Sequence, residues 1–266
     1  MSPLVYSVGS LQIRAFVFWI ALGVLLSSLI VLGSAWRRNA RLLPYLDVIV
    51  AAVAVGALGA RLGHVALNWN YFAAHTDEIW SLTAGGLDWH GTLLGTLLAV
   101  SLMAILRKLP LSSLFDSFAL IVPVMAATIW IACGVANAAY GIEVRSLADF
   151  PAWMVTESPD VYGMIAPRLA LPIFGVIAAI VIFAIMLLLT AFRRFDGTRL
   201  WIAIGLYALC MAFIAFFRAD YVPMLFNHRA DQVLDLTVVL LSALLFALTR
   251  LSQLRSIAQS SQGVPS

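Results

Sequence analysis

Seven apolar stretches decide what this chain can fold into. They cover residues 15–34, 46–67, 92–106, 114–135, 169–192, 200–217 and 233–250, against the roughly 20 helical residues that cross a hydrocarbon layer. The third and sixth are the shortest. Backbone in hydrocarbon has no water to bond, so runs of this length must satisfy their own N–H and C=O groups as helices. Composition agrees: 63% of the 266 residues are hydrophobic and 11% charged, where a soluble globule carries about 25% charged residues. The expected fold is an all-α integral membrane protein with seven transmembrane helices. A single membrane domain is expected over 1–251, with a Ser/Gln-rich tail over 252–266 expected to be disordered.

Orientation follows from the basic residues. One set of connections collects Arg37, Arg38, Arg41, Arg107, Lys108, Arg193, Arg194, Arg199, Arg250 and Arg255. The other holds Arg14, Arg145, Arg168, Arg218 and Arg229. By the positive-inside rule the richer set is cytoplasmic, which places the amino terminus outside and the carboxyl terminus in the cytoplasm. The first 13 residues hold no Lys or Arg, so the opening apolar segment is expected to be retained rather than cleaved as a signal peptide. The net charge of +3 is explained by these flanks, and no nucleic-acid partner is expected.

Outer connections rich in acids, Trp and Tyr suit an interfacial belt or a cap over a cavity that opens outward. Inside the apolar stretches, charge is rare. Arg61 follows a charge-free run from 48 to 60 and lies about 9 Å inside the outer end of its helix at helical rise. An arginine at that depth marks a site or a specific pair, or else snorkels to the headgroups. Gly59 and Gly63 flank it and leave room for a close neighbour such as a lipid phosphate.

The stretch Gly85-Gly86-Leu87-Asp88-Trp89-His90-Gly91 brings a second ionisable group to the same boundary. His90 can take or give a proton near neutral pH, or be a helix-start histidine wetted by the interface. Asp88 and His90 are two apart, so their pairing requires a non-helical turn. Arg218 suits a snorkelling helix end, and Asp47 and Asp116 suit helix starts. Gln232 and Asp235 open the last helix and could hydrogen-bond across the bundle. Cys133 and Cys210 lie within apolar runs and read as small packed side chains, and no grouping has metal-ligand spacing.

In order and spacing these features resemble the bacterial prolipoprotein diacylglyceryl transferases. The likeness runs from Ser7-Val8-Gly9 with Ile13-Arg14, through Gly59-Ala60-Arg61-Leu62-Gly63 and the Gly85 to Gly91 stretch with Leu94-Gly95. It continues through Asp116, Pro123, Tyr140-Gly141, Pro151, Trp153, Pro167-Arg168, Phe216-Phe217-Arg218 and Gln232. The resemblance implies transfer of diacylglyceryl from phosphatidylglycerol to a lipobox cysteine of a prolipoprotein signal peptide, in the bacterial inner membrane and without cofactor or metal. Carried over residue by residue, it makes His90 the base or proton relay and Arg61 the phosphate clamp. Arg14, Gly85, Gly86, Asp88, Arg168, Arg218 and Gln232 become substrate-binding residues.

The departures cluster. The family's fourth-helix arginine, two asparagines and glutamate fall on Trp130, Cys133, Ala136 and Ala138. Its tyrosine near the first helix falls on Phe16, and its helix-six arginine and glutamate on Met211 and Ala215. The polar segment after Pro167-Arg168 is replaced by Leu169-Ala170-Leu171-Pro172-Ile173-Phe174-Gly175. Two readings therefore stand: a divergent transferase with a reduced polar set, and a catalytically impaired homologue that binds lipid or a partner. An unrelated transporter is disfavoured by the lack of an inverted repeat.

Overall fold

A computed structural model describes residues 5–8, 11–81 and 85–262; Gly9, in the amino-terminal part of the resemblance, lies outside them. Among these residues seven helices are long and apolar enough to cross a membrane. They are α1 (Ala15–Arg37), α2 (Leu43–Leu67), α4 (Trp89–Leu106), α5 (Leu111–Val135), α6 (Leu171–Ala191), α7 (Arg199–Ile214, prolonged by a 3-10 turn to Phe217) and α8 (Ala230–Gln262). A single turn, α3 (Trp69–Phe72), follows α2. Three antiparallel hairpins are found among the described residues: β1 (Val5–Val8) with β2 (Leu11–Arg14), β3 (Val155–Pro159) with β4 (Ile165–Leu169), and β5 (Met224–Leu225) with β6 (His228–Arg229). Successive spans alternate in direction, so all three hairpins fall at one end, the hairpin end. The short connections after α1, α4 and α6 fall at the other.

Local chemistry sets the helix limits. Pro44 opens α2, Pro110 caps α5 and Pro172 opens α6, positions where a missing N–H costs nothing. Four helices close without glycine. Asn39, Lys108, Asn137 and Arg193 take positive φ of 50–53°, and the next N–H reaches back to the carbonyl five residues earlier, at Ala35, Ala104, Cys133 and Leu189. This Schellman closure satisfies carbonyls that a helix end leaves orphaned. Most limits shift by up to three residues from the sequence reading, and two shifts have a clear local cause. Helix α4 starts at Trp89 rather than 92 because Asp88 caps it. Helix α8 runs on through 252–262, where hydroxyls of Thr249, Ser252 and Ser256 bond carbonyls one turn back and keep the polar stretch compatible with helix.

Packing runs α2 on α4, α1 on α5, α5 on α6 and α7, and α7 on α8. The first pair is the tightest by construction. A Cβ at Gly59 would overlap the Gly91 carbonyl, one at Gly91 the Gly59 carbonyl, and one at Gly95 the Val55 carbonyl. Small residues let two membrane helices approach to backbone contact, and this approach sets the Asp88 cap that starts α4 against Ala60 and Gly63 of α2. Large apolar side chains such as Leu98 (65% exposed) and Leu240 (72% exposed) point outward, as a surface in contact with lipid tails requires.

Candidate functional site

His90 sits in the first turn of α4 and is 6% exposed. The turn that Asp88 and His90 need is the helix cap itself. Asp88 is extended (φ −105°, ψ 131°), and its Oδ2 accepts the Gly91 N–H at 2.6 Å. Its Oδ1 then lies 3.0 Å from His90 Nδ1. On the far side of the ring, Nε2 lies 3.0 Å from Oδ1 of Asp235 on α8, a residue with no exposed surface. One imidazole is thus held between two carboxylates contributed by different helices. From sequence, Asp235 reads only as a possible cross-bundle hydrogen bonder; its signal is a lone acid two residues into the apolar stretch 233–250.

Gly85 and Gly86 run into this cap with φ of 81° and 79°, conformations that suit glycine. At Gly86 a side chain would also strike the His64 ring. The Asp88 N–H bonds the Ala60 carbonyl at 3.0 Å, pinning the segment to α2.

Arg61, 3% exposed, fastens the same segment. Its Nε donates to the Ile79 carbonyl at 2.7 Å and its Nη2 to the Glu78 carbonyl at 2.6 Å. Its Nη1 reaches Gly85 at 2.7 Å and Gly86 at 3.2 Å. Phe72 lies beneath the cation, 5.2 Å from ring centroid to guanidinium carbon. A guanidinium has five N–H donors, and four are directed at main-chain carbonyls. The residue read as a phosphate clamp anchors the connection that leads into the His90 helix, with one N–H left over.

Arg168, Arg218 and Arg229 are matched by acids. Arg168 on β4, 4% exposed, meets Glu143 at 2.7 Å and Asp160 at 3.6 Å, and lies over the Tyr140 ring. Arg218 pairs with Asp220 through two nitrogens and with Asp231 at 3.5 Å. Arg229 closes the square, at 3.0 Å from Asp231 and 3.5 Å from Asp220. Asp231 precedes Asp235 by one turn of α8, so this square adjoins the His90 triad within about 6 Å along the helix. The Gln232 N–H bonds the Asp231 carboxylate. Arg14 closes the first hairpin opposite Val5 and leads directly into α1.

Of the substituted positions, Trp130, Met211 and Ala215 are packed into the bundle, whereas Ala136 and Ala138 are exposed. Trp130 (3% exposed), Met211 and Tyr207 share one apolar cluster with Ile182 and Met186. Gly175 on α6 leaves the space that the Trp130 ring fills. Trp89 lies edge-on to Tyr207 at 5.3 Å and roofs this cluster beside the His90 ring.

Comparison with known proteins agrees with the whole-chain likeness. A protein named phosphatidylglycerol--prolipoprotein diacylglyceryl transferase from Clostridium novyi (strain NT) is 28% identical over 251 residues, 92% of this chain and 95% of that protein. The protein of the same name from Clostridioides difficile (strain 630) is 25% identical over 248 residues, 90% and 92% of the two chains. Against relatives of that name from Lactobacillus delbrueckii and Lactobacillus johnsonii, at 29% identity, the match spans 40% and 43% of the relative's length. The family model for prolipoprotein diacylglyceryl transferase matches residues 3–248, and the chain belongs to that family.

Proposed function

We propose that this membrane protein transfers diacylglyceryl from phosphatidylglycerol to the cysteine thiol of a lipobox in a prolipoprotein signal peptide. The hairpin end would face outward in a bacterial inner membrane, with the carboxyl terminus in the cytoplasm. The chemistry breaks the thiol S–H bond, forms C–S at a glycerol carbon, and breaks C–O to release glycerol phosphate. A thiol with a pKa near 8.5 is mostly protonated at neutral pH, so the reaction needs a proton acceptor beside it. The observation that carries the reading is a buried imidazole held between two carboxylates, an arrangement made for proton transfer rather than packing. Arg61 contributes by fixing the Gly85–Gly86 backbone that leads into the His90 helix, and Arg168 and Arg218 are the cations offered to the leaving phosphate.

One observation favours the second reading, an impaired homologue that binds lipid or a partner. Arg61, Arg168 and Arg218 are each engaged by carbonyls or carboxylates, so phosphate must displace those partners. The two readings separate on purified protein given phosphatidylglycerol vesicles and a lipobox peptide. Thioether-linked lipid that disappears in His90→Ala supports the transferase. Saturable phosphatidylglycerol binding without product supports the impaired homologue.

A further inference from the structure

The two carboxylates on His90 are not equivalent. Asp88 shares its charge with the Gly91 N–H, and its side chain is 13% exposed. Asp235 is 1% exposed at its side chain, and its Oδ1 bonds His90. Its Oδ2 is buried with no partner in bonding geometry, as is the neighbouring Trp89 indole N–H. The imidazole is the group that bonds the Asp235 carboxylate, with the Trp89 indole N–H close beside it, whereas Asp88 has a cap to serve and an edge toward solvent. Low surrounding polarity strengthens the bond that is made there and penalises its loss.

Counting protons gives the consequence. A neutral imidazole has one N–H, and two carboxylates compete for it. If Asp235 takes it, His90 Nδ1 and Asp88 Oδ1 face each other 3.0 Å apart as two acceptors. A proton delivered there turns a repulsion into a charge-assisted hydrogen bond.

We propose that Asp235 is the positioning residue of the site, holding the His90 Nε2–H so that protons enter and leave the triad at the Nδ1 contact with Asp88. This rests on the transferase reading for its role in turnover, and on geometry alone for the tautomer. In turnover the thiol S–H bond breaks and its proton comes to rest between His90 Nδ1 and Asp88 Oδ1. The sulfur electron pair forms the C–S bond as the C–O bond to the phosphate breaks, its electron pair leaving on the oxygen of glycerol phosphate, and the proton departs to water past the exposed edge of Asp88. Asp235 never touches the substrate.

The test is selective 15N labelling of the four histidines in lipid bilayers, with His90 assigned by its loss in His90→Gln. In the wild type, the neutral form of His90 is expected to show a protonated Nε2 and an unprotonated Nδ1. Asp235→Leu, close in size and without an acceptor, is expected to move the proton to Nδ1, against Asp88. Its kcat should fall roughly 10³–10⁴-fold, as for loss of an orienting carboxylate, with KM for phosphatidylglycerol changed less than about threefold. Asp235→Glu should regain the Nε2 proton and part of the turnover, which a residue serving only to fill space would not do. A protonated Nε2 persisting in Asp235→Leu overturns the proposal, as does wild-type turnover in that variant. Should the wild-type protein make no product, the transferase reading fails while the nitrogen spectra still decide the role of Asp235. Failure of Asp235→Leu to fold passes the decision to the wild-type tautomer and Asp235→Glu.

Discussion

Helices α2 and α4 carry ionisable side chains at both ends of their contact, and the two ends are built differently. At the hairpin end Arg61 and His90 are buried, and every polar contact they make is to main-chain carbonyls or carboxylates. At the opposite end Arg107 and Asp47 form a 2.8 Å ion pair with half-exposed side chains. The exposed pair can exchange its partners for water at little cost. The buried set cannot, because each group removed leaves others unsatisfied in a dry environment. Buried polar contacts are therefore concentrated at one end of a helix pair whose other end carries a half-exposed ion pair.

Substitutions along this pair should grade accordingly. His90→Ala is expected to lower diacylglyceryl transfer by roughly 10²–10⁴-fold, with unfolding in detergent little changed. Retained turnover there would remove the chemical distinction between the two ends. Arg61→Ala leaves four carbonyls without donors and should cost at least about 3 kcal/mol of stability. Proteolysis within 73–86 should accelerate in parallel, and a variant as stable as wild type would show that the guanidinium is not the anchor. Gly91→Ala forces the helices apart at their closest approach and is expected to cost about 1–3 kcal/mol, read by thermal unfolding, with transfer reduced through the displaced cap. Asp47→Asn should change stability by less than about 1 kcal/mol; a larger loss would mean that the exposed end depends on its ion pair no less than the buried end depends on its own contacts.

Much of the site was legible in the residues. A charge within an apolar run flags Arg61, because the cost of burial there demands a partner, and the Asp-x-His spacing already required a non-helical turn. The kind of partner was not legible. The carbonyls of residues 78, 79, 85 and 86 carry no side-chain signature, so nothing in the sequence announces that they receive a guanidinium. Asp235 was visible only as a lone acid near a helix start, 145 residues from His90, a separation that only the packing of α8 on the bundle closes.

The sequence by itself determined the seven spans and the family, since hydrophobic run length and ordered motifs are properties of the chain alone. It also located the emptied polar positions, Trp130, Met211 and Ala215 among them. Tertiary structure decided what the remaining charges do. Arginine is polyvalent and will bind whichever acceptors surround it, here carbonyls for Arg61 and acids for Arg168 and Arg218. The proton chemistry of His90 likewise depends on which carboxylates reach its two nitrogens, and that is settled by the approach of α4 and α8 and by the cap that starts α4.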